Sequence, residues 1–223
     1  MIAAIQPEDI RVSLQVAGLS TLICIVVGLP LAWLLARYRF RGRMLLEIAV
    51  TLPLVLPPTV VGYYLLRALG RGSTVGRFLE DELGLSVVFT WYGAALAAAI
   101  VSIPFLIRTA QAAFELVDPE LEQVAQTLGR SRLGVFRAIT FPLAARGIAA
   151  GIALAFARAI GEFGATVVLA GNIPGKTRTL PISVYDAVQA GDIARANATA
   201  LVLIGISLAS LLVFSWSLVL VRR

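Results

Sequence analysis

Four stretches of this chain run for 19 to 26 residues without a single charge: 12–36, 48–66, 83–107 and 196–221. An α-helix rises about 1.5 Å per residue, so about 20 such residues cross the hydrocarbon core of a bilayer. A fifth stretch, 147–170, is apolar except for Arg158 and Glu162. Together the five hold 119 of the 223 residues. Composition agrees: 59% of the residues are hydrophobic and 14% charged, against about 25% charged in a soluble domain. The expected fold is all-α, a polytopic membrane protein with five transmembrane helices in one domain spanning 1–223. The first stretch does not read as a signal peptide. Glu8 and Asp9 stand before it in place of a basic flank, and it is too long for a typical apolar core of a signal sequence.

Chemistry is narrowed by what is missing. The chain has no His and one Cys, which excludes a His-based catalytic triad, a His-ligated zinc site and an internal disulfide. A net charge of +6 would suggest nucleic acid in a soluble protein, but between spans it reads as topology. With the N-terminus outside, eleven of the nineteen basic residues fall on the cytoplasmic side, among them Arg37, Arg39, Arg41, Arg43, Arg222 and Arg223. This predicts an outside N-terminus, a cytoplasmic C-terminus and no nucleic-acid partner.

The spans are not plain anchors. Pro53, Pro57 and Pro58 interrupt the second one, followed by Thr59 and Gly62. Each proline removes a backbone donor and crowds the preceding turn. Lipid cannot satisfy the freed carbonyls, so the segment should face protein or a water-filled cavity. Broken helices are a recurrent binding device in transporters; a kink that only shapes packing is the alternative. In the fourth span Arg158 and Glu162 stand four apart, on one face of a helix, where they can pair. Intramembrane charges normally face the bundle interior or an aqueous cavity, so the pair is a candidate gate or a structural tie. Gly147, Gly151, Gly161 and Gly164 suit close helix packing. The segment 170–177, AGNIPGKT, nearly spells a phosphate-binding loop. It begins with Ala, follows a span instead of a buried strand, and falls on the side where ATP is not expected.

The most informative polar stretch is 115–142, between the third and fourth spans. Asp118 suits a helix N-cap, Pro119 the first helical position, and Glu120 and Glu122 the first turn. Leu121, Val124, Ala125 and Leu128 fall on one stripe, and Gly129 is a stop. Ser131 can cap a second short helix carrying Leu133 and Phe136. An apolar ridge outside the membrane wants a partner, or else a burial place against its own membrane domain or the lipid interface.

This stretch resembles the EAA loop of ABC importer permeases. Ala125, Gly129, Ile139 and Pro142 match the pattern at its spacing, with Gln123, Val124 and Phe141 standing for its Glu, second Ala and Leu. The segments 52–62 and 157–185 are similar to those of molybdate ABC transporter permeases, over nearly the whole chain; tungstate and sulfate permeases are close alternatives. The resemblance implies a type I importer permease in the cell inner membrane with a cytoplasmic coupling loop at 118–142. It implies a second permease copy as homodimer partner, two cytoplasmic ATPase subunits receiving the ridge, and an extracytoplasmic oxyanion-binding protein. No cofactor is expected in this chain, ATP and Mg residing on the ATPase subunits. The coupling residues would be Leu121, Val124, Ala125, Leu128, Gly129, Ile139 and Pro142. Pro57, Pro58, Thr59, Gly62, Arg158, Glu162, Thr166 and Asn172 are the candidates for the pathway or gate.

Two readings from other classes compete. A membrane-embedded enzyme could use paired acids such as Glu80 and Glu82, or Glu120 and Glu122, but no His, Cys or metal set converges on them. A secondary transporter working alone usually shows internal repeats and more spans.

Overall fold

The computed structural model describes residues 6–220, and all regular structure among them is helical. Val221, Arg222 and Arg223, which entered the span and orientation readings, lie outside the described residues. Helix α1 runs Pro7–Arg37. Pro7 opens it, and Glu8 and Asp9 occupy its first turn, where negative charge complements the helix dipole. It contains one π-helical turn, Cys24–Gly28, just before Pro30. A second π turn, Phe136–Thr140, lies just before Pro142. A proline inside a helix removes a donor and crowds the turn before it; widening that turn is how both helices stay continuous.

The second span divides into α2 (Arg43–Val55) and α3 (Pro58–Leu69), bent by 114°. The three prolines are not equivalent. Pro53 stays inside α2. The break comes at Leu56 and Pro57, which have ψ of 138° and 132°. Each precedes a proline, and the residue before proline is driven from the helical to the extended region.

A short helix α4 (Thr74–Asp81) leads to a non-helical stretch, 82–90. The third span is therefore displaced from its expected position at 83–107: α5 runs Trp91–Glu115. Freedom from charge does not make a helix; Thr90 does, its side chain accepting from Gly93 N at 3.1 Å as an N-cap. At the other end Arg108 lies within the helix because it has partners. It donates to Thr51 Oγ1, to the Glu47 carbonyl at 3.3 Å and to Gln111 Oε1 at 3.4 Å.

Helix α6 (Pro119–Thr127) precedes α7 (Arg132–Ile160). Ser131 does cap, accepting from Gly134 N at 3.2 Å. The helix it starts is no separate element, however, but the first turn of the fourth span, continuous through the π turn. That span also ends early. Residues 161–163 break it, and α8 (Gly164–Ala170) follows, so 147–170 is two helices and not one. Helix α9 (Leu180–Gln189), which the sequence reading did not anticipate, is tied to α1 by Leu180 N donating to Ser13 Oγ at 2.7 Å. Helix α10 (Ile193–Leu220) completes the chain. Four helices, α1, α5, α7 and α10, are long and apolar enough to cross a membrane, and the bent pair α2–α3 makes a fifth span.

Helix α5 is the hub, packing against α1, α2, α7 and α8. Its N-terminal half buries Ala94, Ala95, Ala97, Ala98 and Ala99; its C-terminal half buries Leu106, Ile107 and Phe114. Glycines on the neighbouring helices let backbones close on it. A Cβ at Gly28 would stand 2.7 Å from Leu106 Cδ2, one at Gly151 would stand 3.2 Å from the Leu106 carbonyl, and one at Gly147 would collide with Ala113. Gly161 has no such role: at the end of α7 it meets only the Ala157 carbonyl of its own helix, at 3.7 Å.

Candidate functional site: a broken-helix junction and an apolar ridge

The two breaks meet each other. Helices α3 and α8, which begin just after them, lie in direct contact. A Cβ at Gly62 would lie 2.8 Å from the Ala165 carbonyl and 2.9 Å from Ala165 Cα. One at Gly164 would lie 3.1 Å from Thr59 Cγ2 and 3.2 Å from Pro58 Cβ. At Gly62 only glycine permits backbone contact this close, and at Gly164 any side chain would crowd Pro58 and Thr59. Pro57 and Thr59 are exposed, Pro58 is half-buried, and Gly62 is buried under α8.

Glu162 does not sit on the α7 face that its spacing from Arg158 suggested, because α7 ends at Ile160. It hangs in the turn, 2% exposed, and does two things there. One oxygen accepts from Arg158 Nη2 at 2.7 Å, and the other accepts from Ala165 N at 2.8 Å in the first turn of α8. An ionised side chain buried this deeply requires such partners. The pair thus staples the end of α7 to the start of α8, while the Arg158 side chain keeps 28% of its surface exposed.

Thr166 is fully buried, and its hydroxyl donates to the Phe163 carbonyl at 2.8 Å and the Glu162 carbonyl at 3.2 Å. It braces the turn instead of presenting a free hydroxyl. Asn172 stands apart, in the exposed loop after α8, where it donates to Asp186 Oδ1 at 3.1 Å and accepts from Arg178 Nε at 2.7 Å. Arg195 completes this cluster through Asp186 Oδ2 at 2.8 Å. Burial pushes the Asp186 carboxyl up, but the Asn172 hydrogen bond and the Arg178 and Arg195 charges outweigh it and hold the pKa below the usual carboxylate range. The structure therefore gathers Pro58, Thr59, Gly62, Glu162 and Thr166 at one junction, with Arg158 at its edge and Asn172 outside. After Ala170, which ends α8, residues 171–177 form an irregular loop with Gly171 and Gly175 at positive φ, and no helix starts at Lys176.

The second candidate region is α6. Asp118 accepts from Glu120 N at 2.9 Å, Pro119 opens the helix, and Gly129 ends it at φ 85° with Arg130 N returning to the Ala125 carbonyl. Leu121, Val124 and Leu128 are 50%, 57% and 79% exposed, whereas Ala125 is buried. The ridge therefore consists of three residues, with Ala125 on the side facing the membrane domain. Ile139 is half-buried in the π turn and Pro142 is exposed, both within α7.

Glu122, read from sequence only as a first-turn acid, is the strut beneath the ridge. Its Oε1 accepts from Arg37 Nη2 at 2.8 Å and from Thr140 Oγ1 at 2.5 Å, joining α6 to α1 and α7. Arg37 also donates to the Val117 carbonyl at 3.1 Å. Nothing local marks this role, since the partners lie 85 and 18 residues away. Of the acids weighed for enzyme chemistry, Glu122 is this strut, and Glu80 is gripped by Arg71 at 2.5 Å on the exposed surface, which holds its carboxyl below the usual range. Among the described residues no group of three His, Cys, Asp or Glu could hold a metal.

Residues 28–223 match the family described as the binding-protein-dependent transport system inner membrane component. The chain belongs to that family. It is 45% identical over 210 residues to the molybdenum transport system permease protein ModB of Escherichia coli K12, covering 94% of this chain and 92% of that one. To the ModB protein of Haemophilus influenzae it is 44% identical, over 93% of this chain and 91% of that one. The sulfate transport system permease protein CysT of Salmonella typhimurium is 41% identical over 92% of this chain and 73% of its own length. Two solved structures share the fold. A chain of a bacterial ABC transporter for import of the polysaccharide alginate matches at TM-score 0.74 and 18% identity, over 97% of this chain and 78% of that one. A chain of an inward-facing methionine ABC transporter matches at TM-score 0.74 and 15% identity, over 96% and 95%. Family and fold agree with the five-span architecture built up from the residues.

Proposed function

We propose that the chain is the membrane-spanning permease subunit of an ATP-driven importer, and that its cargo is molybdate. The observation that carries the mechanism is the exposed Leu121, Val124 and Leu128 ridge on a short helix braced to two transmembrane helices by Glu122. A ridge held this way is a coupling element: force applied to α6 passes through Glu122 into α1 and α7. Cytoplasmic ATPase subunits would receive the ridge in surface grooves, and their ATP-driven closure would move it. In this reading the α6 end of the bundle would face the cytoplasm and the N-terminus would lie outside. A second copy of the chain would complete the pathway, and an extracytoplasmic binding protein would deliver the oxyanion. The junction of α3 and α8 is the proposed gate, with the Arg158–Glu162 pair holding its two halves in register and Thr59 offering transient hydrogen bonds.

Molybdate as cargo is supported by the identity to the ModB proteins. Sulfate is the second reading, favoured by the CysT relative. Oxyanion affinities of the binding protein that engages this permease separate the two: selective tight molybdate binding supports the first, and sulfate preference overturns it. For coupling, Leu121→Asp combined with Leu128→Asp should abolish co-purification of the ATPase subunit; undiminished association would refute the ridge. Thr59→Val should lower molybdate flux in an assembled transporter, and unchanged flux would remove Thr59 from the pathway.

A further inference from the structure

A cavity of about 1060 Å³ opens between α1 and the start of α7, beneath α6. Its wall is apolar along Val26, Leu29, Trp33 and Phe136, and Arg37 and Arg132 line its α6 end. Neither the coupling ridge nor the α3–α8 junction uses it. From Val26 to Arg37 a helix advances about 17 Å, close to the thickness of one leaflet of the ~30 Å hydrocarbon core. The groove thus has the length of a single leaflet and ends in cations where the headgroups lie.

Charge points the same way. Arg37 is tied through Nη2 to Glu122, yet its Nε is buried without a partner. Arg132 is exposed and forms no ion pair among the described residues. Two guanidinium groups against one carboxylate leave the groove mouth with a net positive charge of one, matching the single negative charge of a phosphodiester. Basic pockets between transmembrane helices on the cytoplasmic side are suited to anionic lipid headgroups, and arginine is the side chain best shaped for phosphate.

We infer that this groove is a binding site for one anionic phospholipid of the cytoplasmic leaflet, its acyl chain along α1 and its phosphate at the exposed Arg132, beside the Arg37 guanidinium. Because Arg37 also holds Glu122, the bound lipid steadies the strut under the coupling ridge. The inference rests on the cytoplasmic placement of α6, but its test needs no transport, so its failure leaves the permease reading standing.

The test uses the assembled permease–ATPase complex in nanodiscs doped with photoactivatable phosphatidylglycerol or the matching phosphatidylcholine. Phosphatidylglycerol should label the α1–α7 groove at least about tenfold more than phosphatidylcholine. Arg132→Gln should erase that preference while Arg132→Lys retains most of it. Val26→Trp, which fills the lipid-facing wall without touching either arginine, should lower labelling by both lipids. Equal labelling by the two lipids, undiminished labelling in both Arg132→Gln and Val26→Trp, or crosslinking of a maleimide–benzophenone probe on Leu133→Cys to a neighbouring protein subunit in place of lipid would each overturn the proposal. Because Val26→Trp and Arg132→Lys keep the positive charge, they decide the matter even if Arg132→Gln does not assemble.

Discussion

Removing the strut should free the coupling helix without unfolding the bundle. In Glu122→Ala, Arg37 loses its carboxylate and Thr140 loses its acceptor, while α6 keeps Ala125 as its only buried residue. Exposed ion pairs contribute about 0–1 kcal/mol, and breaking a fully buried one costs about 3–5 kcal/mol. Side chains 15% and 17% exposed place this pair between those limits, at about 2 kcal/mol. That is about a 30-fold shift in the local equilibrium between docked and undocked α6. Hydrogen exchange of the assembled membrane domain reads it directly: amides in 119–127 should exchange about 30-fold faster, and those of α5 should not change. ATP hydrolysis should continue while molybdate uptake falls, because nucleotide-driven movement no longer reaches α1 and α7. Glu122→Gln keeps an acceptor for Thr140 and should lie between wild type and Ala. Exchange in 119–127 unchanged by Glu122→Ala would refute the strut, whatever happened to transport.

Two further outcomes follow from the geometry. Gly62→Ala places a methyl 2.8 Å from the Ala165 carbonyl, with backbone and not a flexible side chain as the obstacle; the shift of α3 away from α8 should cost about 1–3 kcal/mol and severely reduce molybdate uptake at equal expression, whereas Gly161→Ala, whose nearest contact is 3.7 Å away, should transport normally. Asp186, with its pKa held below the usual range, stabilises the loop after α8 fully above the unfolded carboxylate value of about 4, and that contribution is lost as pH falls through the lower folded value; protease accessibility of 171–179 should therefore rise on acidification in wild type, and Asp186→Asn should show the opened loop already at neutral pH with a flatter acid response.

The bilayer made much of this architecture legible in advance, because its thickness fixes how long an apolar run must be. Where the reading slipped, a local or distant partner decided the outcome. Thr90 starts α5 eight residues into an uncharged run, and Thr51 with the Glu47 carbonyl lets Arg108 continue the helix that a charge should have ended. Dividing 147–170 into two helices required Glu162 to turn inward and cap α8, something no spacing rule anticipates. The prolines were read correctly as a break, but only the Pro57–Pro58 doublet forces extended backbone at successive positions. At the ridge, spacing placed Leu121, Val124, Ala125 and Leu128 together, while burial separated Ala125 from the rest. Glu122 was beyond reach because a salt bridge across 85 residues leaves no periodic trace.

Helix α5 is unevenly textured, and the unevenness bears on how the bundle can move. Near Leu106, Ile107 and Phe114 large side chains mesh with the neighbouring helices like gear teeth, so sliding there would require several rotamers to change at once. Along the buried face from Ala94 to Ala99 the same helix is a smooth shaft of alanine methyl groups, the larger Leu96 being only half-buried. Shear between packed helices is easiest where they are least toothed. Relative motion of these helices is therefore expected to concentrate at the alanine-lined end of α5, the end far in sequence from α6.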